Sequence, residues 1–242
     1  MTLQSAKAKS KGNGKGAPSF KRSLKRIVLW ALAGVIALPV VLSVLYTVVN
    51  PISTLMLARY LTGQPVTREF VPLEKISTNL QRAVVVSEDS LFCQHDGIDW
   101  KATHQQVAQL FKGERPRGAS TISMQLAKNL FLWNGRNFVR KALEAPLAIL
   151  LDTVLGKRRV LEIYLNVVEW GDGVFGAEAA AKKYFGRSAE KLSKTQASLL
   201  ATALPNPLVR NAAKPSSGHR RLAGINRSRT QVAGDVLSCT LP

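Results

Sequence analysis

The sequence predicts a mainly α-helical protein, one helical domain behind a single N-terminal transmembrane helix. Three observations lead there. Residues 27–49 (IVLWALAGVIALPVVLSVLYTVV) run for 23 positions without an acidic or basic side chain. Beyond them apolar residues recur at helical spacing in one stretch after another, while the alternation that marks half-buried strands is scarce. The length of 242 residues suits one soluble domain of roughly 100–200 residues plus an additional segment.

Lys and Arg outnumber Asp and Glu by 34 to 15, a formal net charge of +19, and 46% of the residues are hydrophobic. That apolar content excludes a disordered basic tail, and the charge excludes a chain embedded wholly in a membrane. The surplus is unevenly placed. Residues 1–26 carry eight cations (Lys7, Lys9, Lys11, Lys15, Lys21, Arg22, Lys25 and Arg26) and no acid. Residues 205–242 carry six cations against one acid, and residues 50–204 twenty against fourteen. The main body is therefore only mildly basic.

The first element is the span at 27–49. About 20 apolar residues cross the hydrocarbon core as a helix, and Pro39 is tolerated in such a helix. The run exceeds the roughly 7–15 apolar residues of a signal peptide, which favours a retained anchor. Its cations all precede it, and Arg59 is the first to follow. By the positive-inside rule, residues 1–26 stay cytoplasmic and the body is exported. The basic lead then meets anionic lipid headgroups; nucleic-acid binding is disfavoured as the main function, because the body lies across the membrane.

In the body, residues 77–89 (STNLQRAVVVSED) begin with helix-capping Ser and Thr and place Leu80, Ala83, Val84 and Val86 on one face. Residues 120–131 repeat Ile122, Leu126 and Leu130, and 140–155 and 159–168 are two further amphipathic runs. Residues 193–204 open with Ser193 and Gln196 in capping-box spacing and stop at Pro205-Asn206-Pro207. Polar, Gly-containing loops at 112–118 and 133–137 have the mobile, exposed character that commonly carries function. Residues 214–242 read as a surface helix or a partly disordered end. An exported chain could oxidise Cys93 and Cys239, but one pair makes no disulfide framework and no zinc spacing; the favoured expectation is a partly buried thiol and a tail thiol.

Several residues are candidates for chemistry. Glu88 and Asp89 end an apolar helix, where a desolvated carboxyl gains proton affinity and suits proton transfer; two solvated helix-end acids are the plainer alternative. Ser120 and Thr121 sit at a helix start, a place for an anion or an ordinary N-cap. Lys128, Arg136, Arg140 and Lys141 form a cation group, and Arg140 and Glu144 share a helix face at i, i+4. Leu161, Tyr164, Leu165 and Val168 read as a core stripe.

Five segments together decide among these readings: EDSLFCQHDG (88–97), GASTISMQLAKN (118–129), RKALE (140–144), KRRVLEIYLN (157–166) and GDGVFGAEAAAKKYFG (171–186). In this order they resemble the motif set of the family 51 glycosyltransferases that polymerise bacterial peptidoglycan, most nearly the monofunctional biosynthetic type. The 38 residues after Leu204 are fewer than the roughly 50 of a minimal further domain, as that type requires. The SAEK run at 188–191 spells a penicillin-binding acylation motif but has no K-T-G partner, and reads as coincidence.

The resemblance implies a lysozyme-like helical glycosyltransferase domain. It implies residues 1–26 as cytoplasmic tail, 27–49 as anchor, 50–76 as a linker or membrane-dipping jaw, 77–208 as catalytic domain and 209–242 as a basic C-terminal segment. The expected reaction is transfer between lipid-linked disaccharide-pentapeptides (lipid II), with release of undecaprenyl pyrophosphate and inversion to a β-1,4 bond. Glu88 matches the family's catalytic base, and Glu144 its second essential acid, which either orients Lys128 or Arg136 or holds a divalent cation on the pyrophosphate. Lys128, Arg136 and Ser120 match phosphate contacts, with Gln125, Arg140, Lys141 and Asp89 as secondary substrate-binding candidates. Met124 departs from the family's usual second Gln, and Glu162 is expected to be structural. No cofactor is required and no dedicated metal site is expected, although a divalent Mg or Mn ion on the pyrophosphate is compatible. The implied partners are lipid II, the growing glycan strand, membrane lipids and other cell-wall synthesis proteins. The implied location is the bacterial inner membrane with a periplasmic catalytic domain. The rivals are a glycan-cleaving lysozyme-like hydrolase or lytic transglycosylase and an inactive tethered scaffold. The cation group argues against cleavage, because a neutral leaving group needs a proton and not a cluster of cations.

Overall fold

The computed structural model describes residues 20–114, 120–135 and 137–241. It is mainly helical, as expected. Helix α1 (Phe20–Leu45) contains Pro39, and its stretch Leu24–Leu45 is long and apolar enough to cross a membrane. Only 6% of that stretch is buried, which distinguishes it from the core helix of a soluble domain. The helix stops at Leu45, so Tyr46–Val49, read above as the end of the span, form a turn instead. Contacts divide the chain into two units, 1–38 and 39–242; the second is described below.

Helix α2 (Thr54–Leu61) is capped by Ser53, whose hydroxyl accepts from Met56 N. Met56 is buried, while Ile52, Leu57, Tyr60 and Leu61 remain exposed. Thr54 Oγ1 donates to Leu132 O at 2.6 Å. Helix α3 (Thr78–Glu88) is buried along most of its length, with Leu80, Val84 and Val85 fully enclosed. Burying each such side chain is worth about 1.5–3 kcal/mol, so α3 holds its terminal Glu88 on a rigid support. Helix α4 (Trp100–Phe111), α5 (Ile122–Phe131) and α6 (Phe138–Val167) follow. Helix α6 breaks at Gly156 (φ 71°), the boundary between its two predicted amphipathic runs. Next come α7 (Ala177–Phe185), α8 (Lys194–Ala203), with the Ser193/Gln196 capping box in place, and α9 (Ser217–Val232).

A small sheet was not foreseen. Strands β1 (Thr67–Arg68), β2 (Glu169–Gly171) and β3 (Val174–Phe175) pair in the order β1-β3-β2, with β1 parallel and β2 antiparallel to β3. Strands of two or three residues are too short to show alternation. Asn166 holds the segment that follows β1: its Oδ1 accepts from Val71 N and its Nδ2 donates to Val71 O. Glu162 is structural as expected, accepting from Leu73 N and pairing with Arg159.

The two cysteines depart from the sequence expectation. Cys93 and Cys239 are joined in a disulfide across 146 residues, not left as thiols. Nothing local to either residue foretells a partner so distant in the chain. The C-terminal region folds onto the domain by other contacts as well. Asn226 donates to Ala83 O at 3.0 Å, and Arg82 on α3 donates to the Thr230, Ala233 and Gly234 carbonyls, closing the C-terminal end of α9.

Candidate active site

Glu88 is the last residue of α3 and opens on a cleft of about 280 Å³ lined also by Ser87, Asp89, Ser120, Thr121 and Arg229. Ser87 Oγ donates to Glu88 Oε1 at 3.0 Å and Gln125 Nε2 donates to Oε2 at 3.1 Å. Burial raises the Glu88 pKa above the usual carboxyl range; the Gln125 and Ser87 bonds and the Arg210 charge oppose it, and Asp89 adds to it. A carboxylate with increased proton affinity is suited to accept a proton near neutral pH.

Asp89, expected to touch substrate, is committed to the scaffold. It is buried, its Oδ1 lies 2.9 Å from His95 Nε2, and its Oδ2 accepts from Ile122 N at 2.9 Å. Thr121 is the N-cap of α5: Oγ1 accepts from Met124 N and donates to Gly97 O at 2.6 Å. Gly97 is needed there, because its φ is +85° and a Cβ would lie 2.8 Å from Ala148 O. The first amides of α5, expected to help hold an anion, are thus partly occupied by Asp89 and Thr121. Met124 is buried in the core and needs no polar partner.

On the other side of Ser120 lies the cation group. Lys141 Nζ donates to Ser120 Oγ and to Glu144 Oε2, both at 2.7 Å. Arg140 Nη1 donates to Glu144 Oε1, and Arg140 Nε is buried without a partner among the described residues. Glu144 is buried, one carboxylate beneath several cations. The Lys128 ammonium has no hydrogen-bonded partner among the described residues. Burial lowers its pKa, opposed by Glu144 and assisted by Arg140 and Lys141, while Glu169 also opposes. The group holds more positive charge than Glu144 neutralises, which fits a phosphate-bearing ligand. Arg136, expected here, lies outside the described residues.

Both Glu144 oxygens are held by cationic side chains, an arrangement that orients those cations. Among the described residues no group of three or more His, Cys, Asp or Glu side chains is placed to hold a metal ion.

Arg229 was missed by the motif reading. It projects from α9 into the Glu88 cleft and also lines an adjoining cavity of about 220 Å³ with Arg210, Ser87, Leu222 and Ile225. The acid-free run RRLAGINRSRT (220–230) was visible as charge, but only the packing of α9 on α3 brings Arg229 to Glu88.

Residues 54–230 match a family described as Transglycosylase. Proteins named biosynthetic peptidoglycan transglycosylase are similar over most of their length. The one from Rhizobium johnstonii is 51% identical over 221 residues, covering 90% of each chain. The one from Rhodopseudomonas palustris is 52% identical, covering 90% of this chain and 92% of its own. The one from Agrobacterium fabrum is 50% identical, covering 92% and 99%.

Proposed function

The chain belongs to the transglycosylase family, and from that premise we propose how its residues divide the work of polymerising peptidoglycan. It is a peptidoglycan glycosyltransferase of cell-wall synthesis, taking lipid II and the growing glycan strand as substrates. Glu88 removes the proton from the 4-hydroxyl of the acceptor's N-acetylglucosamine. That oxygen bonds to C1 of the donor's N-acetylmuramic acid as the C1–O bond to pyrophosphate breaks on the opposite face, so the α-linked donor becomes a β-1,4 product. The electron pair leaves on undecaprenyl pyrophosphate. Lys128, Arg136, Arg140 and Lys141 receive that negative charge, and Glu144 holds Arg140 and Lys141 in place for it. Preorganised charge of this kind is commonly the largest contribution to such a reaction.

One observation carries the assignment. Ser120 lines the Glu88 cleft and is bonded to Lys141 at 2.7 Å, so base and cation group share one site. Arg229 lines the Glu88 cleft and shares an adjoining cavity with Arg210. Two substrates that each carry a pyrophosphate call for two cation groups, and this second one suits the acceptor.

The anchor confines enzyme and substrate to one surface, which raises their effective concentration. The cations before the apolar span support residues 1–26 staying in the cytoplasm and the catalytic unit facing the periplasm; the disulfide supports an oxidising compartment. The exposed Ile52, Leu57, Tyr60 and Leu61 favour insertion of α2 into the membrane surface.

The test is incubation of the detergent-solubilised full chain with lipid II and, separately, with polymeric sacculi. The wild type should make glycan polymer and release nothing soluble from sacculi, and Glu88→Gln should lower polymerisation by about 10²–10⁴-fold. Soluble fragments without polymer would mark a glycan-cleaving enzyme. Full polymerisation by Glu88→Gln would remove Glu88 as the base.

A further inference from the structure

Tyr164 sits in the second half of α6 and is fully buried, in keeping with a core stripe. Its hydroxyl nevertheless serves a polar purpose, donating to Gln125 Oε1 at 2.9 Å. At the other end of that amide, Gln125 Nε2 donates to Glu88 Oε2 at 3.1 Å. Three residues from three helices thus form one directed chain, Tyr164 to Gln125 to Glu88.

A glutamine amide has a donor end and an acceptor end, and an ionised carboxylate only accepts. While Glu88 is ionised, its charge alone turns the amide nitrogen toward it. Once Glu88 is protonated that preference weakens, because a carboxylic acid can donate to an amide oxygen. Tyr164 breaks the degeneracy. Among the described residues the Tyr164 proton has no acceptor other than Gln125 Oε1, and a flipped amide would leave a buried O–H unpaired, a costly arrangement.

We propose that Tyr164 is a positioning residue for the transfer reaction: through Gln125 it keeps an N–H donor fixed on Glu88 Oε2 and leaves the carboxylate's remaining lone pairs to the cleft. The proposal rests on the reading of Glu88 as the base. Ser87 holds the other oxygen, so each carboxylate oxygen has one fixed neutral donor.

Among the described residues the charged and titratable groups facing Glu88 are few. Asp89 adjoins it, Arg210 acts from beyond α8, Arg229 and Asp99 line its cleft, and Tyr164 reaches it from α6. Burial, assisted by the Glu88 and Asp89 charges, pushes the Tyr164 pKa well above its ordinary value. The phenol therefore keeps its proton to donate across the working pH range. Burial raises the proton affinity of Glu88 and the Gln125 bond lowers it. Losing the fixed amide orientation must raise it further, since a hydrogen bond to the charged form favours that form.

The experiment is the pH dependence of lipid II polymerisation by the full chain in detergent, for wild type, Tyr164→Phe, Gln125→Met, the double variant and Glu88→Gln. Tyr164→Phe should move the acid limb of the rate profile to higher pH by up to about one unit, a tenfold change in proton affinity. The lipid II KM should stay unchanged, and the rate should recover as the pH rises. Gln125→Met should move the limb in the same direction by at least as much, and the double variant no further, because both changes break one chain. An unmoved limb in Tyr164→Phe, or equal loss at every pH, overturns the proposal. Should Tyr164→Phe fail to fold by circular dichroism, an unmoved limb in Gln125→Met overturns it, while the expected shift there supports it. Full activity in Glu88→Gln defeats the base assignment itself, an outcome separate from either.

Discussion

Cys93 and Cys239 are joined by a disulfide with their Cα atoms 5.4 Å apart, although 146 residues lie between them. The bond fastens the chain's last turns to the segment that follows Glu88, beside the helix that supplies Arg229. In the chain-entropy view a loop of that length stabilises the fold by about 5 kcal/mol, and measured native disulfides fall near 2–5 kcal/mol. The double variant Cys93→Ser/Cys239→Ser should therefore unfold at markedly lower temperature or denaturant concentration. Reduction of the wild type should lower its midpoint comparably and leave the double variant unchanged. A midpoint insensitive to reductant would mean that the bond contributes no stability.

Glu88 supplies a second prediction, about stability. Its proton affinity is raised in the folded state by burial. An acid whose pKa rises on folding contributes stability below its unfolded pKa of about 4.3 and loses it as the pH rises through the folded value. At neutral pH the ionised Glu88 therefore costs stability. Glu88→Gln should raise the unfolding midpoint at pH 7, and the gain should fade as the pH falls toward about 4. Urea denaturation of both proteins across that range is the measurement; a gain independent of pH would place its origin elsewhere.

Lys128 is the opposite charge with the same logic. Burial lowers its pKa more than Glu144 and Glu169 raise it. A cation with depressed folded pKa costs stability wherever it is charged, and the cost is relieved only as the pH rises from the folded value toward the ordinary one near 10.4. Lys128→Met should thus raise the midpoint at pH 7. It should also lower lipid II turnover by about 10²–10³-fold, the usual loss when one group stabilising transition-state charge is removed. Paired measurement of midpoint and turnover tests both halves. Loss of stability together with activity would make Lys128 a structural residue.

What was legible in the sequence follows from distance along the chain. Glu88, Lys128, Arg140, Lys141 and Glu144 sit on helices whose caps and apolar faces are local, so their elements were read closely. Their division of labour was less so. Asp89 and Thr121 looked available for substrate, yet they tie the loop after α3 to the start of α5, through Ile122 N and Gly97 O. Tyr164 looked like core because burial and hydrogen bonding to Gln125 are compatible in one side chain. The Cys93–Cys239 pair and the Glu88–Arg229 cleft depend on packing α9 against α3, which no periodicity encodes.

That packing leads to the last prediction. Arg229 is exposed, lines the Glu88 cleft and the adjoining cavity with Arg210, and has no ion-pair partner among the described residues. Since α9 is held by Asn226 and by Arg82 at its C-terminal end, the backbone at Arg229 does not depend on its own side chain. Arg229→Ala should leave the unfolding free energy within about 0.5 kcal/mol of wild type, as for most surface substitutions. If Arg229 binds the acceptor's pyrophosphate, the variant should raise the lipid II KM by about tenfold, the equivalent of one lost charge-assisted hydrogen bond. The salt dependence of that KM should weaken too, because one fewer cation is screened. Arg229→Lys should recover part of the affinity through charge alone, without the two-pronged geometry of a guanidinium. A KM unchanged in Arg229→Ala would leave the acceptor's phosphates to the cation group around Lys128 and confine Arg229 to the wall of the cleft.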